Sequence, residues 1–231
     1  MSLDELRVAA AVGVVGLLLL IRFDAARFGA AEYDPGPDLD TTGALVVRAA
    51  WPILAMLLSV VLAVILPGGR AVMGLDAAAS DAASTLGLAL AVSGLGIGVL
   101  LWLAWLDGHR WPPALIPLRY WPRAALDAMG AALVDEIVFR AILFSLLLAM
   151  GLPVWTAYLI QLLVYGLATR LGMLAETLPL LVGAMVLGAV NGWLVLVTGG
   201  IVAPLIVHVV LRFTALVVQR GLGALVPRPA D

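Results

Sequence analysis

Asp135, Glu136 and Arg140 stand in the middle of an otherwise apolar run, residues 124–150. A single charge at the centre of a membrane-spanning helix costs at least roughly 2.5–3.5 kcal/mol, so groups kept there are candidates for function. On a helix Glu136 and Arg140 lie four residues apart and share a face, with Asp135 on its edge. Carboxylates in that setting can move a proton to or from water, and a guanidinium can neutralise one of them or steady a developing negative charge. Later runs add Gln161, Tyr165 and Thr169, then Asn191, then His208 and Arg212 four residues apart. Each has a quieter reading. Glu136–Arg140 can be a bracing ion pair, Tyr165 and Thr169 can be hydrogen-bonding glue between helices, and a lone intramembrane histidine can be a satisfied structural group. Asp135 is the hardest to explain structurally, because the arginine already has Glu136 within reach.

Elements must carry these residues, and composition says which. The chain has 231 residues, is 64% hydrophobic and 12% charged, with a mean hydropathy of +1.13. A soluble domain would be about half apolar and about a quarter charged. The expected fold is therefore all-α, a polytopic transmembrane helical bundle. Seven runs approach the roughly 20 residues needed to span: 6–22, 44–67, 82–106, 124–149, 153–170, 177–197 and 200–219. Turn signals separate them, among them Asp34-Pro35-Gly36-Pro37, Pro67-Gly68-Gly69, Trp111-Pro112-Pro113, Gly151-Leu152-Pro153 and Gly199-Gly200. Within the sixth run, Gly188 and Gly192 flank Asn191 in a small-xxx-small pattern that lets helices approach closely. Cysteine is absent, which excludes disulfides, thiolate catalysis and Cys-ligated metals.

The arginines orient the bundle. Arg22, Arg27, Arg110, Arg119, Arg123, Arg170, Arg220 and Arg228 fall on one side, and Arg7 and Arg70 on the other. That bias predicts an outside N-terminus and a cytoplasmic C-terminus. A cleavable signal would carry its positive charge before the first run. Here Asp4 and Glu5 precede it and Arg22 and Arg27 follow, so the run reads as an uncleaved helix. The loop 23–43 is acidic and reads as a solvated connector, whereas 107–123 carries Trp111, Tyr120 and Trp121 among arginines, as a segment at the membrane interface would. The organisation expected is N-terminal helices and connectors over 1–123, a core over 124–219 and a cytoplasmic tail over 220–231. The setting expected is a bacterial plasma membrane.

The stretch Ala132 to Phe144, with Asp135-Glu136-Ile137-Val138-Phe139-Arg140, resembles the first motif of the CPBP family, Glu-Glu-x-x-x-Arg. This family comprises the CAAX prenyl proteases and the bacteriocin-processing Abi-type proteins. Its second motif, Phe-x-x-x-His, falls on Tyr165 to Thr169, and its last, His-x-x-x-Asn, on His208 to Arg212. Gly183 to Pro204 is similar to the segment leading into that histidine. The resemblance covers about 124–219 and implies an intramembrane endopeptidase in which the first Glu and the second-motif His activate water, while the last His and Asn stabilise the oxyanion. Carried over, the base becomes Asp135, its partner Thr169 and the oxyanion pair His208 and Arg212; Glu136, Arg140 and His208 match the family. Asp135 is one methylene shorter than Glu, and misplacement by roughly 1 Å can cost ~100-fold in rate. Thr169 cannot exchange a proton near neutral pH. Arg212 can donate to an oxyanion, or pair with Asp135 and silence it.

Three functions follow. One is a CAAX-protease-like endopeptidase cutting a membrane-associated peptide or protein with carboxylate-activated water. The second is a pseudo-protease that uses the same scaffold to bind a membrane partner. The third, ranked last for lack of internal repeats and broken helices, is a small transporter or proton relay. The expected partners are the lipid bilayer and a membrane-associated substrate; no nucleic acid, metal or other cofactor is expected.

Overall fold

The computed structural model of the chain describes residues 2–27, most of 53–65, 82–108, 115, 117–170 and 178–218. Helix covers most of the described part of each of the seven apolar runs. In chain order we label α1 (Leu3–Arg27), α2 (Ala82–Gly108), α3 (Trp121–Asp135), a π-helical segment (Glu136–Phe144), α4 (Ser145–Ala149), α5 (Val154–Arg170), α6 (Leu178–Thr198) and α7 (Val202–Val217). The tail from 219 onward, the loop 28–50 and most of the connector between α2 and α3 lie outside the described residues.

Local chemistry sets the boundaries. A short 3-10 turn, Leu118–Tyr120, leads into α3, and Pro122 occupies the first turn of that helix, where its missing N–H is no loss. Gly151 (φ 83°) ends the α4 side of one hairpin and Gly199 (φ 72°) the α6 side of the next. Both positions require the left-handed conformation that glycine adopts without strain.

The run expected to be one ordinary helix over 124–149 is α-helical at both ends and π-helical across Glu136–Phe144, and all nine residues of that segment are buried. Such i→i+5 turns are rare and concentrate at functional sites. Nothing in a pattern of apolar residues distinguishes the two windings, so the sequence gives no warning of it.

Packing surrounds the π segment. Ala11 and Val15 of α1, Leu62, Tyr165 and Ala168 of α5 and Ala184 of α6 join its residues in one buried cluster. α5 and α6 approach closely because α6 presents glycine. A Cβ on Gly188 would lie 2.8 Å from Tyr165, and one on Gly192 would lie 2.8 Å from Tyr158. The expected small-residue contact is thus present.

The outward faces are apolar. Trp155, Leu159, Leu163 and Leu167 form an exposed stripe at four-residue spacing on α5, while Val182, Val186, Trp193 and Val197 are exposed on α6. Apolar surface of that extent marks a face meant for lipid or a partner. The buried side chains, by contrast, include Asp135, Glu136, Arg140, Gln161, Asn191, His208 and Arg212. Polar inside and apolar outside is the arrangement a membrane imposes. Ala82–Leu103 is long and apolar enough to cross a bilayer alone, with mean hydropathy 2.2, whereas Val154–Ala168, Val182–Thr198 and Val202–Val217 are shorter. At 1.5 Å per residue such helices rise about 24 Å, short of the ~30 Å hydrocarbon core.

Candidate active site

One carboxylate organises the interior. Glu136, the first residue of the π segment, is fully buried, and its Oε1 meets groups from three elements. His208 Nδ1 of α7 lies at 2.7 Å, Asn191 Nδ2 of α6 donates at 2.8 Å, and Arg140 NH1 of the π segment stands at 3.3 Å. Residues 136, 191 and 208 lie on three different elements, and their side chains reach across to a single atom. An Nδ1 this close to a carboxylate carries the hydrogen and donates it, which leaves Nε2 either as a lone pair or as the second N–H of an imidazolium.

Tyr165 is the floor of the site. The Arg140 guanidinium carbon lies 4.1 Å from the centre of its ring, a cation–π contact that gains strength from being desolvated. Phe139 meets the same ring edge-on at 5.1 Å, and the His208 ring lies nearly perpendicular to it at 6.5 Å. Arg140 is thus fixed between a carboxylate and an aromatic face.

The residues expected from sequence divide. Glu136, Arg140 and His208 form one buried cluster. Asp135 is buried beside it, 1% exposed, as the last residue of α3; the carboxylate that meets His208 is that of Glu136. Arg212, one turn beyond His208, reaches Asp127 of α3 at 3.3 Å, where the aspartate side chain is 31% exposed. Thr169 lies in the last turn of α5, and its side chain is outside the described residues.

Two participants were not among the expected site residues. Asn191 stood out as a polar residue between glycines in an apolar run, but no second polar residue four positions away marked it as part of a site. Asp127 lies near the start of the fourth run, where a solvated carboxylate is unremarkable, and only its position opposite Arg212 gives it a role.

Among the described residues, fold and site together define an all-helical protein with an acid–histidine–arginine cluster enclosed by its C-terminal helices. Residues 117–214 match the family model described as type II CAAX prenyl endopeptidase Rce1-like. The chain therefore carries an Rce1-like domain of the CPBP family, as the three motifs indicated, and α3 through most of α7 belong to it. No curated protein and no solved structure matches the chain.

Proposed function

We propose that the chain is an intramembrane endopeptidase of the type II CAAX kind, acting on a peptide bond of a membrane-associated substrate with water activated by Glu136 and His208. The observation that carries this reading is the buried 2.7 Å contact between Glu136 Oε1 and His208 Nδ1, inside the segment that matches the family. Glu136 accepts the Nδ1–H bond and so turns the Nε2 lone pair of neutral His208 away from itself. Nε2 takes a proton from water as the water oxygen attacks the scissile carbonyl carbon. The carbonyl oxygen becomes an oxyanion; as it collapses the C–N bond breaks, and the imidazolium returns its proton to the leaving amine.

This assignment departs from the roles carried over by resemblance, in which Asp135 is the base and His208 an oxyanion donor. Thr169 stands where the family has its water-activating histidine, so a second imidazole for that task is lacking at that position. The Glu136–His208 pair supplies one. Arg212 remains the candidate oxyanion donor, with Asp127 holding its guanidinium.

A second reading, the pseudo-protease, is favoured by the same Thr169 and by Arg212 being engaged with Asp127. The test is cleavage of a farnesylated C-terminal CAAX-type peptide by the full chain in lipid nanodiscs. The peptidase reading expects release of the C-terminal tripeptide by the wild type and none by Glu136→Gln. Tight binding of the peptide without any cleavage would replace it with the pseudo-protease.

A further inference from the structure

Residues 108–126 carry three arginines, Arg110, Arg119 and Arg123, and no carboxylate. Arg119 is exposed in the 3-10 turn that leads into α3, and its guanidinium carbon stands 4.8 Å from the centre of the Tyr120 ring. A ring stabilises the charge but offers no oxygen acceptor, so the guanidinium N–H donors remain available to one. The same stretch is exposed where it is apolar. Leu115 is 51% exposed, Leu118 73% and Leu126 70%, and Met129 continues the outward face of α3. The segment is nevertheless held in place. Leu115 forms an isolated antiparallel bridge with Val218, just past the end of α7. Tyr120 and Trp121 pack on a buried cluster of Ala124, Ala128, Leu216 and Val217, and Trp121 meets Phe213 of α7 edge-on at 5.7 Å.

Guanidinium and exposed leucines together select the occupant. An acidic soluble protein or a nucleic acid would pair with Arg119 and leave Leu118 and Leu126 in water. Plain hydrocarbon would cover the leucines and strand the charge. The headgroup layer of a bilayer supplies both, acyl chains for the leucines and phosphate oxygens for the guanidinium. Guanidinium meets phosphate through paired N–H bonds. Anionic lipids add an attraction that zwitterionic ones lack, about fivefold in affinity for each arginine near the surface. The opposite end of the bundle carries carboxylates instead, where Asp4 and Glu5 of α1 stand beside Leu148, Ala149 and Met150.

We propose that the turn Leu118–Tyr120 and the first turns of α3 form a binding surface for an anionic phospholipid. Arg119 takes the headgroup phosphate, and Leu118 and Leu126 lie among the acyl chains. Bound lipid holds the start of α3 against the end of α7 through Tyr120 and Trp121. The surface is roughly four turns of helix from Glu136, and its occupation is independent of the peptidase reading.

Energy transfer from the tryptophans of the full chain in detergent to a pyrene on the tail of added lipid measures the preference. The wild type should bind phosphatidylglycerol at least about tenfold more tightly than phosphatidylcholine, and Arg119→Gln should lower that ratio about fivefold. Arg7→Gln, at the acidic end, should leave the ratio unchanged. If Arg119→Gln fails to fold, salt serves in its place. Raising it from about 0.1 M to about 1 M shortens the Debye length from roughly 10 to 3 Å and should lower the wild-type ratio severalfold. Equal affinity for the two lipids, a ratio untouched by Arg119→Gln or by salt, or an equal loss from Arg7→Gln overturns the proposal. Displacement of the lipid by inorganic phosphate at matching concentration would overturn it too, by showing a free-anion site with no need of acyl chains.

Discussion

At the scale of single residues, Glu136 is loaded on one oxygen. His208, Asn191 and Arg140 all address Oε1, and the whole group is excluded from solvent, so loss of any one partner leaves a buried charge or dipole uncompensated. Arg140→Leu should therefore be the most damaging change in the cluster. Breaking one half of a buried pair typically costs roughly 3–5 kcal/mol, reduced to the extent that Glu136 can take up a proton. Asp135→Ala leaves the three contacts at Glu136 Oε1 in place, and its cost should be smaller. Melting temperatures of the two detergent-solubilised variants, measured side by side, decide this. Equal losses, or a less stable Asp135→Ala, would mean that Asp135 shares the role assigned to Glu136. The Arg212–Asp127 pair behaves differently, because Asp127 is partly solvated. Asp127→Asn should cost no more than about 1 kcal/mol, as expected of pairs open to water, and a larger drop in melting temperature would show that Arg212 depends on it for burial. The charges at 135, 136, 140, 208 and 212 were legible in the sequence because each is expensive in an apolar run. Asn191 was only half legible and Asp127 not at all, since their meaning lies in partners 55 and 85 residues away.

The elements explain why that cluster can close. The glycines of α6 bring its backbone against Tyr158 and Tyr165 of α5, and this approach carries Asn191 to Glu136. Gly188→Ala and Gly192→Ala each place a methyl 2.8 Å from a tyrosine ring carbon. Overpacking of this kind should cost about 1–3 kcal/mol, and thermal denaturation in detergent measures it. Gly96→Ala meets only the ends of the Leu211 side chain, which can turn aside, so its cost should be smaller. Similar losses at all three glycines would contradict the close approach of α5 and α6. Helix positions and hairpin turns were readable from apolar runs and from glycine and proline. The π segment was not, because its winding depends on what packs around it, and Ile137 to Phe144 would read the same in either form.

The molecule as a whole is built with polar groups inward and apolar faces outward, and its Rce1-like domain occupies the C-terminal half of the described helices. Whether all seven helical runs cross the bilayer is decided by topology. The distribution of arginines predicts a cytoplasmic C-terminus, and alkaline phosphatase fused after Asp231 should be inactive, whereas a fluorescent protein at the same point should be bright. The opposite pattern would require an even number of crossings with the same N-terminus.

The central claim is that Glu136 and His208 act as one unit on the hydrolytic water. Groups that work as a unit are non-additive when removed. The most direct measurement is a double-mutant cycle on kcat/KM for the farnesylated peptide, using Glu136→Gln, His208→Ala and the pair together in folded, nanodisc-embedded protein. Each single variant should lose on the order of 10²–10⁴ in rate, the range for one general acid–base group, and the double variant should lose no more than the worse single. A double variant whose loss is the product of the two, or a His208→Ala enzyme that retains wild-type kcat, would contradict the account.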